Sequence, residues 1–216
     1  MGVLFYEFFL MKWRNYRKIR LMEEKRVYKK AFVLLFLSAL ILTGCMEENI
    51  THLDVEIFNA DGDSLGVAKL KEMPDGVQVS LNLEGLPPGE HGIHIHETGK
   101  CDAPDFKTAG NHFNPDGKEH GLLHPEGAHA GDLPNIIVED DGTLVIDLMA
   151  PELTLKDGKF SVFGKDGTAI IITEEPDDGM TQPTGESGAR IACGVITKEV
   201  AQKGEPVEEP VEETEE

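Results

Sequence analysis

From Leu53 to about Thr197 the apolar residues come in short runs, and no stretch shows the 3.6-residue period of a convincing amphipathic helix. Val77, Val79, Leu81 and Leu83 alternate with Gln78, Ser80 and Asn82, the period of a strand with one face buried. Ile136–Glu139, Asp140-Asp141-Gly142 and Leu144–Met149 read as strand, tight turn and strand. Similar strands are expected near 53–59, 64–71, 91–97, 159–163, 168–173 and 190–197. Turn signals separate most of them: Asp61-Gly62, Pro74-Asp75-Gly76, Asp157-Gly158 and Asp166-Gly167. Seven or eight short strands at this spacing predict an all-β domain, an antiparallel sandwich or barrel, over 53–198.

Two stretches break the alternation. Residues 98–134 are rich in Gly, His, Asp and Pro and have no strand period; a loop of that length inside a compact domain is usually functional. Residues 174–189 (EEPDDGMTQPTGESGA) form a second, acidic loop. The chain then ends in AQKGEPVEEPVEETEE, acidic and without aromatics, so 199–216 is expected to be a disordered tail.

The other end has the opposite charge. Residues 1–44 carry nine Lys/Arg and three acids, which leaves 11 basic against 37 acidic residues, a formal −26, for the remainder. Such a surface repels nucleic acid and anionic lipid headgroups, so nucleic-acid binding is excluded. Lys25, Arg26, Lys29 and Lys30 precede the apolar run Ala31 to Leu42, which ends in Leu42-Thr43-Gly44-Cys45. A basic segment, a short apolar segment and small residues make a secretory signal over 1–44, too short for a comfortable membrane span. Ending on Cys, it resembles a bacterial lipobox, in which Cys45 is lipidated and becomes the mature N-terminus. This predicts an extracytoplasmic protein anchored to the cell membrane, with 45–52 as tether; an uncleaved anchor helix is the alternative. Met22 is the more natural start. With Cys45 lipidated, Cys101 and Cys193 remain, and an even pair in an oxidising compartment reads as a disulfide.

The densest chemistry lies in the first long loop and the strand before it. Seven of the eight histidines fall between His91 and His129. His94 and His96 are i and i+2 on an expected strand, hence on one face and about 6.5–7 Å apart along it. Alone, H-x-H is a weak metal signal. His112, His120, His129 and Asp132 add three nitrogens and a carboxylate, a donor set suited to closed tetrahedral zinc. Six candidate ligands exceed the need of one tetrahedral ion. Either two ions are held, or one ion with spare histidines; two nitrogen-rich sites of unlike geometry point to Zn²⁺ beside Cu²⁺.

H-G-I-H-I-H-E, G-N-H-F-N-P, K-E-H-G, A-H-A-G-D-L-P-N and, far downstream, G-A-R-I-A-C-G-V-I resemble the signatures of the copper,zinc superoxide dismutases, from about Val55 to Ile196. The resemblance implies a Greek-key β-barrel; these enzymes are themselves a named example of that sandwich architecture. It implies superoxide as substrate, with O₂ and H₂O₂ as products. By position, His94, His96 and His112 resemble copper ligands, His112 being shared with zinc, and His120, His129 and Asp132 resemble the remaining zinc ligands. Arg190 resembles the arginine that guides and holds the anion, a role suited to a permanent guanidinium. Asp177 resembles the carboxylate that links a copper-side to a zinc-side histidine. Cys101 and Cys193 resemble the family disulfide. His52, His91 and His124 are expected to be structural or solvent-facing.

Two departures stand out. Where the family pattern resembles V-V-H-E-x-x-D-D, this chain reads Ile171-Ile172-Thr173-Glu174-Glu175-Pro176-Asp177-Asp178, so Thr173 stands in the place of the fourth copper-ligand histidine. The second loop also has five acids and no lysine, leaving Arg190 as the evident cation for a substrate that fast family members attract by positive field; those enzymes are a named case of such focusing. Lys100, Lys107 or Lys118 are candidates to compensate. The expected function is superoxide dismutation at a Cu/Zn site whose copper half is weakened. A zinc-binding lipoprotein with impaired activity is the alternative.

Overall fold

A computed structural model describes residues 50–203. Nine antiparallel strands form the domain: β1 His52–Asn59, β2 Ser64–Met73, β3 Gly76–Glu84, β4 Gly89–His91, β5 Ile93–His96, β6 Ile136–Val138, β7 Thr143–Ala150, β8 Thr168–Thr173 and β9 Arg190–Ile196. Seven pair in the order β5-β8-β9-β1-β2-β3-β7, and β4 pairs with β6. Neighbours that are distant in sequence, β3 with β7, β9 with β1 and β5 with β8, are the non-sequential pairings of a Greek key. The sheet curls, so that alternate residues of β1, β2 and β3 (Val55, Ile57, Leu70, Val77, Val79, Leu81 among them) meet in one apolar core. The segments expected as signal and lipidation site (1–44, Cys45) and the tail beyond 203 lie outside the described residues.

β8 shows why its sequence, TAIIIT, is an unbroken apolar run. It lies between β5 and β9 and is buried along its whole length. Ile170 and Ile172 face the main core, together with Ile93 and Ile95 of β5. Ala169 and Ile171 face the other side and join Phe106, Ala109 and Cys193 in a second cluster. His94 pairs with Ile171 and His96 with Ala169, so both histidines stand on that second face. The cover over it is the loop 98–134.

Three sequence expectations are corrected. The segment 159–163 is not a strand. Phe160, Val162 and Phe163 pack at the core without a sheet partner, touching Thr154 through one isolated bridge, so its apolar residues record burial rather than pairing. The strand expected over 91–97 is two strands, interrupted at Gly92, because β4 pairs with β6 and β5 with β8. The tail does not begin at 199: Lys198–Lys203 is helical (α1), with the Val200 N–H donating to Thr197 Oγ1 at 3.3 Å and Ala201 packed against the core. Thr followed by Lys-Glu-Val is an N-cap pattern, and burial of Ala201 lets so short a helix persist.

The start of the irregular segment 151–164 is tied to β2 by one carboxylate. Glu72 accepts hydrogen bonds from Leu155 N–H (2.6 Å) and Thr154 Oγ1 (3.0 Å) and pairs with Lys156 Nζ (3.0 Å). Burial opposes its charge, but these donors outweigh it and hold its pKa below the ordinary value. A depressed folded pKa contributes stability that is complete above the unfolded pKa and lost as pH falls through the folded one. Glu72→Gln is therefore expected to destabilise the metal-depleted protein by about 2 kcal/mol at pH 7. The deficit should shrink towards pH 3, as read from urea unfolding at the two pH values.

Candidate metal centre

The edge of β5 that faces away from β8 is occupied by the long loop. Phe113 N–H donates to Ile95 O (2.7 Å), Ile95 N–H to Gly131 O (2.8 Å) and Gly131 N–H to Phe113 O (2.9 Å). Two isolated bridges follow, His96 opposite His112 and His94 opposite Asp132. Gly131 is required for this approach, since a Cβ there would lie 2.2 Å from Ile95 O. The Cys101–Cys193 disulfide, with Cα atoms 5.7 Å apart, ties the start of the loop to β9.

Six side chains then converge in two groups that share His112. His112, His120, His129 and Asp132 form one, and His94, His96 and His112 the other; within each, one ligand atom per residue lies within 4.8 Å of the rest. His94, His96, His112, His120 and Asp132 are buried. His94 and His112 rings stack with centroids 4.0 Å apart, and His120 and His129 both sit edge-on or tilted to their neighbours.

Hydrogen bonds fix which nitrogen of three of the rings points inward. His94 Nε2 donates to Asp177 Oδ2 (2.7 Å) and His96 Nδ1 to Gly110 O (3.0 Å). His120 Nε2 donates to Asp177 Oδ1 (3.1 Å). That leaves His94 Nδ1, His96 Nε2, His120 Nδ1 and His129 Nδ1 buried without a well-formed hydrogen bond, the last two facing Asp132 at 3.1 and 3.3 Å in poor alignment. Four such nitrogens aimed into two small clusters fit metal ions, since a buried polar atom left unpaired is costly. Asp132 completes the first group. Its Oδ2 accepts Gly121 N–H (2.9 Å) and His129 N–H (3.0 Å), while Oδ1 lies 2.8 Å from His112 Nδ1. Burial opposes its charge, yet these donors keep Asp132 far below the usual carboxylate range.

Arg190 stands on β9 directly opposite Thr173. Its guanidinium donates to Phe106 O (2.7 Å) and Gly110 O (2.8 Å), so Gly110 O serves both Arg190 and His96. Thr173 is buried, and its hydroxyl donates to the backbone, lying 3.1 Å from Gly92 O and 3.2 Å from Glu175 O. No further His, Cys, Asp or Glu joins His94, His96 and His112 among the described residues. Lys107 and Lys118 are each paired with a carboxylate, Asp105 and Glu152, which neutralises them locally. His91 is buried between the carbonyls of Thr173 and Pro87, His124 accepts Glu126 N–H and His52 is exposed; none belongs to either group.

Sequence reasoning did not single out two side-chain amides. Asn135 pairs with both backbone groups of Asp177 (3.0 and 2.9 Å), and Gln182 with both of His120 (2.8 and 2.9 Å). Only the fold brings those partners, 42 and 62 residues apart, into contact.

Residues 64–196 match the family model described as copper/zinc superoxide dismutase (SODC). Superoxide dismutase [Cu-Zn] 2 of Aquifex aeolicus is 47% identical over 161 residues, covering 74% of this chain and 94% of that protein. The superoxide dismutase-like protein YojM of Bacillus subtilis is 45% identical over 145 residues, covering 66% of this chain and 74% of that one. A crystal structure of a SOD-like protein from Bacillus subtilis, carrying a tyrosine-to-histidine and a proline-to-histidine substitution, has a TM-score of 0.65 at 45% identity and covers 68% of this chain and 96% of that chain.

The ionisation of the metal-free cluster gives a measurable consequence. Burial, with the neighbouring His112 and Arg190, lowers His96 to about 2, and burial lowers His112 to about 4 against the pull of Asp132. Burial also opposes charge on His120, but its bonds to Asp132 and Asp177 prevail and raise it to about 9. At pH 7.5 His120 thus carries a proton that a metal must displace, because only a neutral imidazole ligates. Zinc loading at pH 7.5 is expected to release protons, fewer as pH rises through 9. Calorimetry in buffers of different ionisation enthalpy reads this directly; no proton release would contradict it.

Proposed function

The chain belongs to the copper/zinc superoxide dismutase family, and we propose that it disproportionates superoxide at a centre whose zinc half is complete and whose copper half lacks one ligand. The single observation that carries this reading is the pair of clusters sharing His112, with four buried ring nitrogens left unpaired towards them. His112, His120, His129 and Asp132 would hold zinc, and His94, His96 and His112 would hold copper. Copper, when bound, supplies the one-electron chemistry by alternating between two oxidation states. The chain supplies the surroundings. Asp177 and the Gly110 carbonyl hold the outer nitrogens of His94, His120 and His96, which turns the inner nitrogens towards the two clusters. Arg190, pinned by that carbonyl and by the carbonyl of Phe106, offers a fixed positive charge to an anion.

Thr173 favours the second reading, a zinc-binding relative with little turnover. Its hydroxyl is engaged with backbone carbonyls and is a poor copper ligand in any case. Retention of Arg190 beside the histidines favours the first. Metal analysis after exhaustive dialysis is expected to find about one zinc per chain and little copper. Thr173→His should raise both copper retention and superoxide turnover by about tenfold or more, the scale of one restored partner at a metal site. Stoichiometric copper in the dialysed unmodified protein, or equal turnover by both proteins, would contradict the weakened site.

The leader supports an extracytoplasmic protein held at the outer face of the cell membrane by lipid on Cys45. Cys45→Ala in the full chain is expected to move the protein from the membrane fraction and abolish labelling by a fatty-acid probe. Unchanged fractionation and labelling would exclude the anchor.

A further inference from the structure

The four residues of the zinc-side group are not held alike. His112 lies on the stretch that bridges to His96 of β5. His129 and Asp132 hold one another, Asp132 N–H donating to His129 O (3.1 Å) and His129 N–H to Asp132 Oδ2 (3.0 Å). His120 has no such anchor within its own loop. Its backbone N–H donates to Gln182 Oε1 (2.8 Å), its carbonyl accepts from Gln182 Nε2 (2.9 Å) and its ring Nε2 meets Asp177 Oδ1 (3.1 Å). Every hydrogen bond of His120 except the approach of Nδ1 to Asp132 therefore ends on the acidic loop 174–189.

We propose that Gln182 is a positioning residue for the zinc-side centre, clamping the backbone of His120 so that this ligand is presented only when loop 174–189 is docked. The proposal rests on reading His112, His120, His129 and Asp132 as the zinc set. A primary amide is the group this task requires. It carries an acceptor and donors in one plane, and here the acceptor faces an N–H while the nitrogen faces two carbonyls, those of His120 and Met180 (3.1 Å). The arrangement is reciprocated. Asn135, from the far end of the histidine loop, makes the same two-point contact with the backbone of Asp177. One amide reaches from the second loop to a ligand and the other from the first loop to the carboxylate behind it, so the two loops are clamped crosswise. Gln182 is itself exposed, so its removal opens no cavity in the core.

The test compares the purified full chain with Gln182→Ala and Gln182→Glu. Zinc affinity is read by competition with a chromophoric chelator, and geometry by the visible spectrum of one equivalent of Co²⁺. Gln182→Ala is expected to weaken zinc binding about 10- to 100-fold, as other losses of support behind a ligand do. It should also dim the Co²⁺ bands as His120 loosens and water enters. Gln182→Glu keeps the acceptor for His120 N–H and loses both donated bonds, so it should fall between the two. The melting temperature should fall less in the metal-free than in the zinc-loaded variants. Equal zinc affinity and an unchanged Co²⁺ spectrum in Gln182→Ala would overturn the proposal. So would a melting temperature that falls equally with and without metal, which marks a purely structural residue. If the unmodified chain fails to hold zinc, the zinc reading itself falls, and the role of Gln182 falls with it.

Discussion

The register of the metal centre depends on one edge of one short strand. β5 ends the seven-stranded sheet, and its free edge would otherwise present unpaired N–H and C=O groups. The loop 98–134 satisfies them from two places, near Phe113 and at Gly131, and in doing so sets His112 against His96 and Asp132 against His94. Backbone hydrogen bonding thus fixes the register of the ligands. The second apolar cluster, with Phe106 and Ala109 beneath the loop, and the disulfide to Cys193 add the anchoring that a Gly- and His-rich segment lacks.

Carboxylates organise the centre from the opposite direction. Asp132 gathers its own loop through Gly121, His129 and His112, and Asp177 reaches across from the second loop to His94 and His120. Both stay ionised because several donors converge on each and outweigh burial. The same acidity counts against attraction of an anion. Arg190 sits within a strongly negative chain, and Lys107 and Lys118 are paired with carboxylates of their own. Tight organisation of metal ligands and weak attraction of a substrate anion are separate properties of this surface.

The sheet was legible where alternation was strict, as in β1 and β3, because one face of each strand packs on the core, and in β7 through the turn before it. It was misread at 159–163, where apolar residues fill the end of the core without pairing, and burial alone does not distinguish the two. The break at Gly92 was invisible, since β4 and β5 differ only in the partner each strand finds. The short helix α1 depends on a Thr197 cap and on the burial of Ala201, and only the cap is written locally.

Local order along the chain determined the strand periods, the two loops, the histidine inventory and the threonine at position 173. Those are properties of neighbours in sequence, set by side-chain alternation and residue chemistry. The tertiary structure alone decided which ring nitrogen faces inward, that Arg190 and His96 share the carbonyl of Gly110, and that Gln182 holds the backbone of His120. Each of these depends on a hydrogen bond across 14 to 83 residues, and a directional contact of that range exists only after the sheet has brought its two loops together.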